Sequence, residues 1–113
     1  MPLKRVILEM GSGNDLHGSD YTKAAIRAVE DALHHSSLTM IRTLGINKND
    51  VRVDVTVGVQ KPDQVDIEAV KKILPVGTVS VSAVLGGLDV PDDEREDPAV
   101  IASAAIDVRL DLP

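Results

Sequence analysis

Between Val51 and Gln60 apolar and polar residues alternate without a fault. Val51, Val53, Val55, Val57 and Val59 fall on one side, and Arg52, Asp54, Thr56 and Gln60 on the other. A period of two is that of a half-buried β-strand. The same period predicts three more strands. In residues 3–10, Val6, Leu8 and Met10 share one face, and Leu3, Arg5, Ile7 and Glu9 the other. In residues 78–86, Val79, Val81, Ala83 and Leu85 point inward, with Thr78, Ser80 and Ser82 outward. In residues 99–111, Val100, Ala102, Ala104, Ile106, Val108 and Leu110 share the inner face. From Tyr21 to about Leu44 the period becomes helical, with Ala25, Val29, Ala32, Leu33, Ser36, Met40 and Leu44 as the inner stripe. Ser19 or Asp20 is its N-cap and Gly45 its stop. A short helix over about 66–74 is capped by Asp66 or a neighbour and ended by Pro75 and Gly77. A glycine-containing loop at 11–18 and an acidic loop at 88–98 complete the chain.

The order β-α-β-α-β-β predicts one α+β domain over residues 1–113, a two-layer sandwich with two helices on one face of a four-stranded mixed sheet. The other sheet face mixes small residues (Ser80, Ser82, Ser103, Ala105) with charged ones (Arg52, Asp54, Asp107, Arg109). Either that face is solvated, or a second sheet approaches it and opposite charges pair across the contact. The second alternative predicts a homo-oligomer built sheet to sheet.

Composition narrows the partners. The chain has one aromatic residue, Tyr21, so its core must be Val, Ile, Leu and Ala, and stacking on bases has no platform. Net charge is −6, which opposes a phosphate-backbone partner; no nucleic acid is expected. Much of that charge sits in 89–97, where six carboxylates meet only Arg95. Cysteine is absent, excluding disulfide and thiol chemistry. No apolar run approaches the ~20 residues of a membrane span, and the N-terminal one is too short for a signal peptide. A cytoplasmic protein without a membrane partner is expected.

The densest chemistry is Gly11-Ser12-Gly13-Asn14-Asp15-Leu16-His17-Gly18. Asp15 and His17 can serve as an acid–base pair, with Asp15 orienting His17 as the proton shuttle. Ser12 and Ser19 are unremarkable as nucleophiles. Backbone N–H groups of Gly11, Gly13 and Gly18 at a helix start make an anion cradle, to which Lys23 and Arg27 add charge. A dinucleotide fingerprint is excluded, because Leu16 stands where its third glycine belongs. A divalent metal is the other candidate ligand, held by Glu9, Asp15 and His17, with His34 or His35 as alternatives; zinc requires three or four such ligands. Each feature also has a plain structural account: a glycine turn, a turn-forming Asp15, a His17 hydrogen-bonded to backbone, solvated basic side chains. The acidic loop is either a solubilising surface or a lid over a neighbouring copy's site, hinged at Gly86-Gly87.

The octapeptide, with Asp20, Thr22, Lys23, Ala24, Ala25 and Arg27 behind it, resembles a family of Listeria-type conserved hypothetical proteins found in scattered bacteria and, with an N-terminal extension, in plants. The likeness covers nearly the whole chain, and the family implies no reaction. The element order is similar to the fold of the Bacillus-type chorismate mutases, the reactive-imine deaminases and the repeated units of cyclic amide hydrolases. That similarity implies a homotrimer or a multiple of three, with clefts between subunits. Three functions stay open. One is an enzyme acting on a small anionic or cyclic-amide-like metabolite at an inter-subunit site, through His17 and Asp15. Another is a non-catalytic oligomeric module binding a small anion or metal. The last is a structural oligomer.

Overall fold

The computed structural model describes residues 3–34, 43, 45–74, 77–94 and 96–111. The chain runs β1 (Leu3–Asp15), α1 (Tyr21–His34), β2 (Val51–Val59), α2 (Ile67–Lys71), β3 (Thr78–Leu85), β4 (Leu88–Val90) and β5 (Ala99–Asp111), with single 3-10 turns at Lys48–Asp50 and Pro62–Gln64. The strands form one mixed sheet in the order β1-β5-β2-β3, with β4 also paired to β5. The β2–α2–β3 crossover makes those two strands parallel, and β5 lies antiparallel to its neighbours β1, β2 and β4. Among the described residues no helix is long and apolar enough to cross a membrane.

The fault-free alternation of β2 is borne out: all five of its valines are buried. So are the six inner positions of β5. They pack against Tyr21, Ala24, Ala25, Ala28, Val29 and Ala32 of α1, a stripe wider and smaller than the predicted one. Asp20 is the N-cap of α1, accepting the N–H of Lys23, and Asp66 caps α2 by accepting that of Ala69. Thr22 Oγ1 accepts the N–H of Asp66 at 2.8 Å, binding the two helix starts together. The predicted second half of the long helix, with His35, Ser36, Met40 and Leu44, lies outside the described residues.

Four expectations are corrected. The sheet has five strands, because β5 is longer than β2 and Leu88–Val90 pair with the stretch of β5 that β2 does not reach. Three residues are too few for a periodicity to show. In β1 the register shifts between Arg5 and Ile7, a bulge that puts Leu3 and Arg5 on the open face and Ile7 and Glu9 on the helix face. Strict alternation had placed all four together. Leu85 belongs to the helix side by parity but is 72% exposed, because α2 is only five residues long. The fourth correction concerns the octapeptide.

Candidate functional site

Gly11 to Asp15 are not a loop. They continue β1 in register with β5 as far as Val100. Gly11 and Gly13 face α1, where the helix backbone leaves no space for a side chain. A Cβ on Gly11 would stand 2.4 Å from the amide nitrogen of Ala32, and one on Gly13 would stand 2.3 Å from that of Ala28. Neither glycine has positive φ. They let the helix lie directly on the strand, against small Ala side chains, so their amides form no anion cradle. The turn proper is residues 16–20, where Gly18 (φ 97°) and Ser19 (φ 49°) take the left-handed conformation.

Asp15 ends β1 on the helix face and is 3% exposed. Its Oδ2 accepts the N–H of Asp20 at 3.0 Å, and its Oδ1 lies 3.9 Å from Lys23 Nζ and 3.8 Å from Arg27 NH1. One buried carboxylate thus ties the end of a strand to the first two turns of the helix. Arg27 also donates to the carbonyl of Asn14 at 2.7 Å, and Asp31 accepts the N–H of Ser12 at 3.0 Å. This i,i+4 pair, which the sequence places on the helix surface, covers backbone groups along the free edge of β1. Replacing Asp15 by asparagine keeps an acceptor for Asp20 but removes the counter-charge of two half-exposed cations. The expected loss is about 1 kcal/mol, read as a lower urea midpoint at unchanged slope.

The acidic segment folds back on the same corner. Val100 pairs with Asp15 on one side and with Asp89 of β4 on the other, so the two carboxylates share one row of the helix face, about 10 Å apart. Asp89 Oδ2 accepts the hydroxyl proton of Tyr21, while its Oδ1 is buried without a hydrogen-bond partner. Burial first, then the hydrogen bond and negative charge of Asp89, push the Tyr21 phenol up to about 12. Asp97 accepts the N–H of Gly18. The proposed hinge is packed: Gln60 donates to the carbonyls of both Gly86 and Gly87, and a Cβ on Gly87 would stand 2.1 Å from the Ile101 carbonyl. Tyr21, Asp89 and Asp97 were not among the sequence candidates. The Leu88-Asp89-Val90 alternation and the position of the lone aromatic, directly after a helix cap, were the available signals.

Other candidates are not brought together. His17 is exposed in the turn, and among the described residues no hydrogen bond joins it to Asp15. Glu9 is on the helix face, but it lies six steps along the strand from Asp15, about 20 Å, so the two cannot share an ion. His34 closes α1, about 20 Å from Tyr21. Among the described residues no three His, Cys, Asp or Glu side chains gather into a metal site.

The opposite face of the sheet has no layer over it among the described residues. Across it, Arg5, Arg109 and Arg52 form one row, and Asp107 and Asp54 the next. Asp107 accepts from both Arg5 and Arg109 at 3.1 Å. Burial opposes its charge, but those two bonds and charges hold its carboxyl below the usual range. Beyond the charged rows lies a shallow trough of about 340 Å³, floored by Thr56, Gly58, Ser103 and Ala105 and walled by Met10 and Val84.

None of the curated proteins matches this chain. Among solved structures it is similar to an FtsZ-like protein of unknown function from Nostoc punctiforme, at 35% identity and a TM-score of 0.83, over 99% of each chain. The conserved hypothetical family Lin0512 matches residues 5–108, which contain the octapeptide, the Asp15 corner and nearly all of the sheet, and the chain belongs to that family.

Proposed function

We propose that the protein is a non-catalytic homo-oligomeric module, in which further copies of the chain cover the open face of the sheet. The observation that carries this reading is the exposure of Leu8 (44%), Met10 (68%), Val84 (45%) and Leu88 (59%) on the face that carries no helix. Exposed apolar side chains on both walls of a trough, flanked by polar groups, mark an interaction surface. Arg5, Arg52 and Arg109 are balanced there by Asp54, Asp107 and Asp111, so copies of a chain with net charge −6 meet at this face without added repulsion. Four strands, about 19 Å across, and eight residues of strand, about 26 Å long, give about 500 Å² per copy and about 1,000 Å² in all, the lower end for a specific contact. We read the architecture as Bacillus chorismate mutase-like, with β4 as an addition, and the expected assembly as a trimer or a multiple of three. Native mass spectrometry tests this. The wild-type chain runs as an oligomer, and the double variant Met10→Asp/Ala105→Asp dissociates at least about 100-fold more readily with unchanged circular dichroism. A wild-type monomer at micromolar concentration overturns the reading.

One observation favours a second reading. His17 is exposed in the turn that follows Asp15, and Lys23 and Arg27, whose side chains are 53% and 47% exposed, flank that buried carboxylate. In that reading Lys23 and Arg27 hold a small anionic or cyclic-amide-like metabolite and His17 moves its proton, while Asp15 fixes the two cations. Imidazole resonances of His17 then shift on addition of inorganic phosphate or a short dicarboxylate. Lys23→Ala abolishes that response with a stability change within about 0.5 kcal/mol. Resonances that stay still at millimolar probe leave the corner a structural latch.

A further inference from the structure

The two edges of the sheet are built differently. On β1, Arg27 and Asp31 occupy backbone groups of Asn14 and Ser12, a bulge interrupts the strand near Val6, and Lys4 and Arg5 place charges along it. Each is a known device against strand-to-strand association. β3 closes the other edge with none of them. It is eight residues long, Thr-Val-Ser-Val-Ser-Ala-Val-Leu, regular in its pairing with β2, and free of charge, proline and glycine. Among the described residues no side chain or backbone group bonds to its outer edge. An uncharged, regular edge strand of this length presents a row of amides and carbonyls ready for another strand.

We infer that β3 is a docking edge for β3 of a second copy, paired antiparallel about a two-fold axis perpendicular to the sheet. A second copy fits better than a foreign strand for three reasons. With no charge on β3, self-pairing sets no like charges opposite one another. The two-fold keeps each face with its own kind, serine beside serine on the open face and valine beside valine on the helix face. It also lays the start of the partner's β3 against Val84 and Leu85, which are 45% and 72% exposed at this edge. A foreign strand would meet no charged group or side-chain pocket on β3 to select it. Because the β1 edge is guarded, growth through edges stops at two copies. This contact is independent of the face contact proposed above; both operate together in an assembly of six chains.

The chain contains no cysteine, which makes a direct test simple. Val79, Val81 and Ala83 are half-buried on the helix side of β3, where copies meeting through the open face cannot bring them together. Single variants Val79→Cys, Val81→Cys and Ala83→Cys are exposed to mild oxidation, with circular dichroism as the check on folding. Edge pairing yields disulfide-linked dimer in most of the population for at least one variant. It also gives wild-type β3 amides hydrogen exchange at least about 10-fold slower in the concentrated than in the dilute protein. No cross-link in any folded variant, with concentration-independent exchange in β3, overturns the edge contact. If the Met10→Asp/Ala105→Asp variant is still cross-linked, the edge contact stands without the face contact; loss of the cross-link alone leaves the face contact standing.

Discussion

Replacing Gly13 by alanine is expected to destabilise the protein by about 3 kcal/mol or more. The added methyl would lie 2.3 Å from the amide nitrogen of Ala28 and 2.6 Å from the carbonyl carbon of Arg27. Those are backbone atoms of a helix, so no rotamer change relieves the clash. The helix must move off the strand, and the Ala24, Ala25, Ala28 and Ala32 stripe loses close contact with β1 and β5. Overpacking a well-formed core costs roughly 1–3 kcal/mol even where side chains can adjust. Gly45 is the control. Its φ is 70° and nothing lies within 4 Å of the position a Cβ would take, so Gly45→Ala carries a dihedral cost alone, about 1 kcal/mol. Urea denaturation separates the two. Equal costs would mean that Gly13 is kept for its backbone freedom and not for the helix lying on it.

Alkali is expected to remove about 2–3 kcal/mol of stability through Tyr21 alone. The phenol is 3% exposed and held near 12 by burial and then by Asp89, against 10.0 in a free tyrosine. The native chain therefore binds this proton more tightly than the unfolded chain does. The contribution is complete below pH 10, shrinks as pH rises through the interval from 10 to about 12, and is gone above it. Tyr21 is the only tyrosine and the chain has no tryptophan, so phenolate absorbance reports the titration without overlap. Tyr21→Phe starts about 1–2 kcal/mol lower, because Asp89 loses its donor while its Oδ1 already lacks one. Its stability is then flatter than the wild type's in that alkaline interval. A phenolate midpoint near 10 in the folded protein would show that the phenol is neither buried nor bonded to Asp89.

Both effects arise at the corner where β1, α1 and the acidic segment meet, and they explain how such an aromatic-poor chain holds its helix in place. Glycine on the strand and alanine on the helix bring backbones together. Asp15 then fixes the strand end to Asp20, Lys23 and Arg27, and Asp89 and Asp97 fix the acidic segment to Tyr21 and Gly18. Asp15, the carboxylate that the sequence offers for chemistry at this corner, ties strand to helix. The exposed apolar surface lies on the far side of the sheet.

The sequence by itself determined the α+β class and the core face of β2 and β5, and narrowed the cap of each helix to a residue or its neighbour. These depend on neighbours two to four positions away, and such periodicity is visible along a chain. It also marked residues 11–18 as special, but not why. Whether a glycine serves a turn, a ligand or a helix lying against it depends on what stands opposite in space, here Ala28 and Ala32, fifteen to twenty-one residues further on. The tertiary structure alone decided that β1 runs on to Asp15, and that a bulge at Val6 sends Arg5 and Ile7 to opposite faces. It alone placed β4 on the uncovered end of β5. Only the strand order, with β1 guarded by α1 and β3 last, showed which edge of the sheet was left open.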